Sequence, residues 1–136
     1  MSDNFINASE KTDQEILDSM DPVTISAMIQ ERIGEIDFFK DKIFEAANNK
    51  AMAKMNFAKE CAITKFKLMN GSIEEWEGQK VGKKSQSAAG DLAEEMNYQL
   101  QYDFEVAESN YKSIIVVIEA TKAQLNGLQS INKHLE

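Results

Sequence analysis

The sequence predicts an all-α protein: two long helices plus a short N-terminal helix, forming a helical hairpin or bundle. Its only proline among 136 residues is Pro22, so nothing breaks a helix between there and Met69. Apolar residues recur at helical spacing in that stretch, and again from about Asp91 to the C-terminus. Four glycines lie between the two stretches, which predicts a connector at about residues 70–90.

The N-terminal residues differ in composition from the rest of the chain. Residues 1–12 are rich in Asn, Ser and acidic side chains, which predicts a flexible arm. Thr12 and Glu15 have the spacing of a capping box, which predicts a short helix through Met20. We expect residues 13–136 to form a single helical domain. The start of the chain does not resemble a signal peptide, and no stretch is apolar enough for a membrane span, so we expect a cytoplasmic protein without membrane contact.

The first long helix has clear signals at both ends. Asp21 can cap it and Pro22 suits its first turn, whereas Asn70 and Gly71 supply a stop. A stripe at 3/4 spacing is predicted to pack, and it consists of Ile25, Ile29, Ile33, Ile36, Phe39, Ile43, Ala47, Ala51, Met55, Ala58, Ala62, Phe66 and Met69.

The connector has the composition of a loop. Ser72 with Glu75 is predicted to cap a single helical turn that carries Trp76, and the small polar run at residues 85–87 is predicted to be irregular. Loops of this length in compact proteins are often functional, so we expect a binding element here.

The final helix has a regular heptad seam. Its members are Leu100, Phe104, Ala107, Tyr111, Ile114, Ile118, Thr121, Leu125 and Leu128. Ile115, Val116 and Val117 widen the apolar surface, which must be covered either by the N-terminal helix or by other subunits. The sequence therefore predicts a homo-oligomer, with oligomerisation residues Phe104, Tyr111, Ile114, Ile115, Ile118, Leu125 and Leu128.

Charge is unevenly distributed along the chain. The net charge of −8 argues against indiscriminate binding to nucleic acid or to anionic membranes. Residues 31–84, however, hold eleven basic side chains against nine acids, and residues 50–67 hold five lysines against Glu60 alone. These cations form either a solvated helix face or a binding surface.

The usual carriers of catalysis are scarce. His134 is the only histidine, so one subunit can build neither a catalytic histidine dyad nor a multi-histidine metal site. Cys61 is the only cysteine, and we expect it to have a packing role. The connector glycines lack the spacing of a phosphate-binding loop. We expect a protein that is not an enzyme and that uses no metal or cofactor.

Lysines and aromatic residues coincide near the connector. Cations beside aromatic rings are the elements with which proteins hold single-stranded nucleic acid without reading its sequence. Lysines near a helix C-terminus also stabilise the helix dipole, which is the simpler interpretation. The predicted residues for single-stranded DNA binding are Lys50, Lys54, Lys59, Lys65, Lys67, Lys80, Lys83, Lys84, Phe66 and Trp76.

The segment Lys65, Phe66, Lys67 and Leu68, followed by Gly71, resembles a basic K-x-R-L element of phage recombination mediators of the UvsY type. Lys67 stands where that family has arginine. The resemblance implies a ring-forming protein in the cytoplasm of a bacterial host. It further implies binding to single-stranded DNA and help in loading a RecA-like recombinase where single-strand-binding protein is present.

Two other interpretations stay open. Long heptad-bearing helices are also typical of coiled-coil assembly proteins, including prefoldin-like chaperones and phage scaffolding proteins, which need not bind nucleic acid. Trp76, Glu77 and Gly78 form a W-x-G pattern between the helices, similar to the hairpin of a family of small secreted helical proteins.

Overall fold

The computed structural model describes residues 21–135 and confirms an all-α fold. The helices are α1 (Pro22–Asn70), α2 (Gln86–Met96) and α3 (Tyr98–Leu135). Strands β1 (Glu75–Trp76) and β2 (Gln79–Lys80) form a small antiparallel sheet between α1 and α2. The predicted N-terminal arm and short helix lie outside the described residues.

Helix α1 begins and ends where the sequence predicts. The Asp21 carboxylate accepts a hydrogen bond from the backbone N–H of Thr24 at 2.7 Å, and this bond lowers the pKa of Asp21. At the other end Gly71 has a φ of 79°, and the N–H of Ser72 donates to the carbonyl of Lys67 at 2.9 Å. This is the Schellman arrangement, in which a left-handed glycine ends the helix.

The connector folds as a β-hairpin, so the predicted helical turn at Trp76 was wrong. Trp76 pairs with Gln79, and the two residues between them have positive φ, 50° at Glu77 and 77° at Gly78. Two consecutive positive φ angles define the type I′ turn, whose twist matches that of paired strands. The N–H of Val81 extends the hairpin by donating to the carbonyl of Glu74 at 2.7 Å.

The polar run at residues 85–87 begins a helix and is not a loop. Ser85 is the N-cap of α2, and its hydroxyl accepts from the N–H of Ala88 at 3.3 Å. The helix ends at Asn97, so the stretch predicted as one helix from about Asp91 is two helices. The Asn97 side chain amide donates to the carbonyl of Ala93 at 2.8 Å, which caps α2.

The described chain divides into two compact units, each with a share of α1 and α3. The first unit comprises residues 21–39 and 118–135. Its core is a cluster of Ile25, Ile29 and Leu128, against which Met28, Leu125 and Ile131 pack.

The second unit comprises residues 40–117. Its core cluster is Leu68, Ala89 and Ala93, joined by Ile73, Val81, Leu92 and Met96. Because Ile73 and Val81 come from the connector, the hairpin is anchored against α1 and α2 by apolar contacts. A further polar contact joins α1 to the start of α3, where the Asn97 amide donates to the Thr64 hydroxyl at 3.1 Å.

The seam predicted for the final helix is confirmed. All nine of its residues are buried or half-buried, and Ile118, Thr121 and Leu128 are the most deeply buried. Ile114 and Ile115 are half-buried, whereas Val116 next to them is 66% exposed. Within residues 21–135, the wider apolar surface of α3 is therefore partly exposed, most of all at Val116.

The stripe predicted for α1 is confirmed only in its first half. In that half Ile25, Ile29 and Ile36 are buried, with Ile33 as an exposed exception. In the second half Ala51, Met55, Ala58, Ala62, Phe66 and Met69 are all exposed. The face that packs instead repeats every seven residues and contains Ile43, Ala46, Lys50, Ala53, Phe57, Glu60, Thr64 and, one position later, Leu68. A seven-residue repeat keeps α1 beside its antiparallel neighbour, and this register brings Lys50, Glu60 and Thr64 onto the packed face while Met55, Phe66 and Met69 stay exposed.

The residues predicted for oligomerisation lie on the packed side of α3. Ile118 is buried, Leu128 belongs to the core cluster of the first unit, and Leu125 packs against that cluster. Tyr111 lies under the ammonium of Lys50, 4.9 Å from the ring centre. Phe104, Ile114 and Ile115 are half-buried, and their part in subunit contacts stays a prediction.

Within residues 21–135, no helix combines the length and the apolar character needed to cross a membrane.

Candidate nucleic-acid interface

Three of the predicted lysines meet where α1 ends and α2 begins. Lys65 is half-buried, and its ammonium end lies against Gly90, where an added Cβ would come within 3.9 Å of Nζ. The backbone N–H of Lys84 donates to the carbonyl of Leu68 at 3.0 Å. Lys83 packs along Gly71. The fold thus brings Lys65 to the same end of the unit as Lys83 and Lys84, although Lys65 and Lys84 are 19 positions apart in the sequence.

Gly71 is required for this arrangement on two grounds. Its φ of 79° is a conformation that other residues rarely adopt, and an added Cβ would lie 3.1 Å from Cγ of Lys83. The glycine that ends α1 therefore also makes room for the stem of Lys83 and holds its charge near the helix end.

The dipoles of two helices meet at the connector end. The C-terminus of α1 favours a cation, and the N-terminus of α2 favours an anion. Lys67 is exposed in the last turn of α1, where a cation complements the helix dipole. The first N–H groups of α2 have no partner within the helix, and a helix N-terminus favours anions. The sequence prediction missed this second feature, although Ser85 is a favoured N-cap residue and precedes a stretch rich in good helix formers.

Lys80 is exposed on β2, and its partner in the hairpin register is Glu75 on β1. Glu74 and Glu75 line a shallow groove together with Lys80, Val81 and Gly82. Two carboxylates so near to Lys80 reduce its attraction for phosphate, so Lys80 is the weakest cation of this end of the unit.

Lys50, Lys54 and Lys59 do not lie with this group. Lys50 is 4.0 Å from the carboxylate of Glu108 and is stacked over Tyr111, so it takes part in packing between α1 and α3. Lys54 lines a shallow depression with Lys50 and Tyr111. Lys59 is exposed on the opposite side of α1, among apolar side chains. The predicted ten-residue site is therefore divided among three places.

Among the described residues, no ion pair engages the lysines at the connector end. The paired cations are Arg32, Lys42, Lys50 and Lys112. Lys65, Lys67, Lys83 and Lys84 lack a carboxylate within ion-pair distance, which leaves their charge for an external anion.

Aromatic side chains are exposed in the same unit. Phe66 is 69% exposed, and Tyr98 and Tyr102, one turn apart on α3, are 65% and 61% exposed. Trp76 is half-buried on β1 and is not part of the core cluster around Leu68. Each ring offers a face on which a base could stack.

Cys61 has a packing role. Its sulfur lies 3.8 Å from the carbonyl of Ala93, and burial, followed by the charge of Glu94, raises the pKa of the thiol. A thiol with a raised pKa is a poor nucleophile at neutral pH. In residues 21–135, no three potential metal ligands of the His, Cys, Asp or Glu type come together.

No protein-family model matches the chain, and comparisons with curated proteins and with solved structures find no match.

Proposed function

We propose that this protein is a non-enzymatic recombination mediator, which binds single-stranded DNA as an oligomer and helps to load a RecA-like recombinase in the presence of single-strand-binding protein. The observation that carries the proposal is the set of lysines without an ion pair at the connector end, in the same unit as exposed aromatic rings. The identity of the two protein partners comes from the resemblance to mediators of the UvsY type.

The chemistry of the cluster suits a single strand better than a duplex. Lys65, Lys83 and Lys84 surround a helix end and do not follow a groove, and an α-helix that reads duplex DNA would need base contacts from a regular helical face. Phosphates of a flexible strand can reach cations from several directions, while unpaired bases can stack on Phe66 or Trp76. An oligomer repeats this small site and adds the counterion release of each copy.

The acidic residues outside the connector end restrict where nucleic acid can bind. With a net charge of −8, duplex and nonspecific binding are disfavoured, so affinity depends on the connector end alone. Weak binding by each subunit also permits a strand to be handed to a recombinase, because no single contact holds it firmly.

A titration of fluorescent oligo-dT tests the proposal. The variant Lys67→Gln/Lys83→Gln/Lys84→Gln removes three charges from the connector end. The matched control, Lys40→Gln/Lys122→Gln/Lys133→Gln, removes three exposed charges elsewhere. We expect the first variant to lose at least about tenfold in affinity and about 2 units of salt slope, since a single strand contributes about 0.7 per phosphate contact. Equal losses in both variants would mean that only net charge matters.

The mediator role needs its own measurement. Recombinase filament formation on DNA already covered by single-strand-binding protein should be accelerated by the wild-type protein and much less by the connector-end variant. If both proteins bind DNA but neither accelerates loading, the DNA-binding part of the proposal stands and the mediator part fails.

A coiled-coil assembly or scaffolding protein is the second candidate. The observation that favours it is the apolar surface exposed within residues 21–135, including Phe44, Met55 and Val116. A scaffold would assemble equally well with the connector-end lysines removed and would show no salt-dependent binding to oligo-dT.

A further inference from the structure

The second unit exposes a face of α3 that carries no charge. Tyr102, Val106, Ser109, Ser113 and Val116 follow one another at steps of four and three, and all five are exposed. Three of them are apolar or aromatic, with exposures of 61% at Tyr102, 49% at Val106 and 66% at Val116. The solvent side of a surface helix normally carries charged residues. We name these five residues the α3 outer face.

Helix α1 exposes a second apolar face in the same unit. Phe44, Met52, Met55 and Phe66 have exposures of 75%, 50%, 60% and 69%. Ala62, also exposed, lies between Met55 and Phe66 on the same side of the helix. Exposed apolar patches of this kind mark interaction surfaces. We name these five residues the α1 outer face.

The two faces are complementary in size. The α1 outer face is made mainly of long or bulky side chains, whereas the α3 outer face has Ser109 and Ser113 at its centre. Large side chains of one helix fill the spaces above small residues of another, which permits close packing.

The charges beside the two faces are also complementary. Residues 44–69 carry five lysines against two glutamates, whereas residues 98–117 carry three acids against one lysine. Lys50 and Lys112 both contact Glu108 within the chain. Exposed cations left on α1 include Lys54 and Lys59, of which Lys59 falls between Met55 and Ala62 in the row of the α1 outer face. Exposed acids left on α3 include Asp103 and Glu105.

We infer that the α1 outer face of one copy packs against the α3 outer face of a second copy. This inference rests on the oligomer included in the proposed function and assigns the surface that forms it. The inner seam cannot serve as readily, because Ile118 and Leu128 are already buried within one chain. Pairing of like faces would set lysines against lysines or acids against acids, which disfavours it.

Contact between two different faces has a geometric consequence. Each copy keeps one α1 outer face and one α3 outer face free for further copies, so the contact repeats until a ring closes or a filament forms. It also assigns Lys54 and Lys59 to the subunit contact and leaves the lysines of the connector end for DNA.

Light scattering after size-exclusion chromatography tests the inference with two single variants. Val106→Glu blocks the α3 outer face, and Met55→Glu blocks the α1 outer face. Both positions are largely exposed, so each variant should keep wild-type helicity. We expect the wild-type protein to be larger than one 15.3 kDa chain and each variant alone to be a monomer. Gln101→Glu, the same charge change at an exposed position of α3 outside the face, should keep the wild-type mass.

Mixing the two variants gives the sharpest result. The Met55→Glu chain retains a good α3 outer face and the Val106→Glu chain a good α1 outer face, so the mixture should form a complex of two chains that does not grow further. A wild-type monomer at micromolar concentration would overturn the inference. So would a Met55→Glu protein that keeps the wild-type mass, because the α1 outer face would then be unnecessary.

A charge exchange provides a second test that does not disturb apolar residues. Lys54→Glu/Lys59→Glu should weaken assembly at least about tenfold at low salt. Adding Asp103→Lys/Glu105→Lys to the same chain should restore it, and absence of restoration counts against the contact. Oligo-dT binding measured on the same proteins separates the two proposals. An oligomer that does not bind DNA contradicts the proposed function alone. A DNA-binding monomer contradicts the contact and the oligomer in the proposed function, but leaves its DNA-binding part standing.

Discussion

At the scale of single residues, polar side chains decide where the helices pack. Lys50 lies on the packed side of α1, where its ammonium contacts the carboxylate of Glu108 and the ring of Tyr111. On the same side, the hydroxyl of Thr64 accepts a hydrogen bond from the side-chain amide of Asn97. Hydrophobicity alone placed the stripe on the neighbouring Ala51, Met55 and Ala58. A pattern of apolar residues could not reveal that an inward lysine had partners on another helix, because those partners are about 60 positions away in the sequence.

The side chain of Asn97 makes a first prediction possible. Its amide donates to the carbonyl of Ala93 at 2.8 Å, which caps α2. It also donates to the hydroxyl of Thr64 at 3.1 Å, which joins the α2–α3 junction to α1. A typical hydrogen bond contributes about 0.5–1.5 kcal/mol, so Asn97→Ala should lower the free energy of unfolding by roughly 1–3 kcal/mol. Chemical denaturation measures this, with the exposed Asn110→Ala as the control. Equal stability of the two variants would show that water replaces both bonds.

At the scale of elements, the signals at the two ends of α1 predicted its bounds correctly, whereas the structure of the connector and the break at Asn97 were not predicted. Asp21, Pro22 and Gly71 each fix a local backbone conformation by themselves, which is why the bounds of α1 could be predicted. The strands of the hairpin are only two residues long, too short for an alternating pattern to be recognised. Its turn also uses Glu77 at positive φ, where Asn or Gly would have given the usual signal.

The turn of this hairpin depends on the backbone conformation of Gly78. Gly78 has a φ of 77°, so Gly78→Ala places a Cβ in a conformation that costs about 1–2 kcal/mol. Opening of the hairpin should become roughly 5- to 30-fold more frequent. Amide hydrogen exchange at Val81, whose N–H is bonded to Glu74, measures that opening.

Gly82 is the matched control for this substitution. It lies in the same connector without a positive φ, and an added Cβ would meet no atom within 4 Å. Gly82→Ala should therefore leave amide exchange at Val81 unchanged. If both variants accelerate exchange equally, the conformation of Gly78 is not what holds the turn.

At the scale of the whole molecule, the all-α class and the two long helices were predictable, because they depend on periodicity and on missing breakers. The division into two units was not, since it depends on which distant residues meet. The same holds for the candidate site. The sequence located Lys65, Lys67, Lys83 and Lys84 at the connector, but it also included Lys50, whose charge is used in packing.

Each unit has its own core cluster. Ile25 and Leu68 are both fully buried, one in each unit, and the clusters around them share no residue. Truncation of a buried Leu or Ile to Ala costs about 2–5 kcal/mol. Ile25→Ala should raise amide exchange in residues 22–39 and 118–135, whereas Leu68→Ala should raise it in α2 and the hairpin. Because the two sites have no common partner, the losses in the double variant should add to within about 0.5 kcal/mol. A double variant that departs strongly from this sum would mean that the continuous helices α1 and α3 transmit disorder from one unit to the other, so that the two clusters act as one cooperative core.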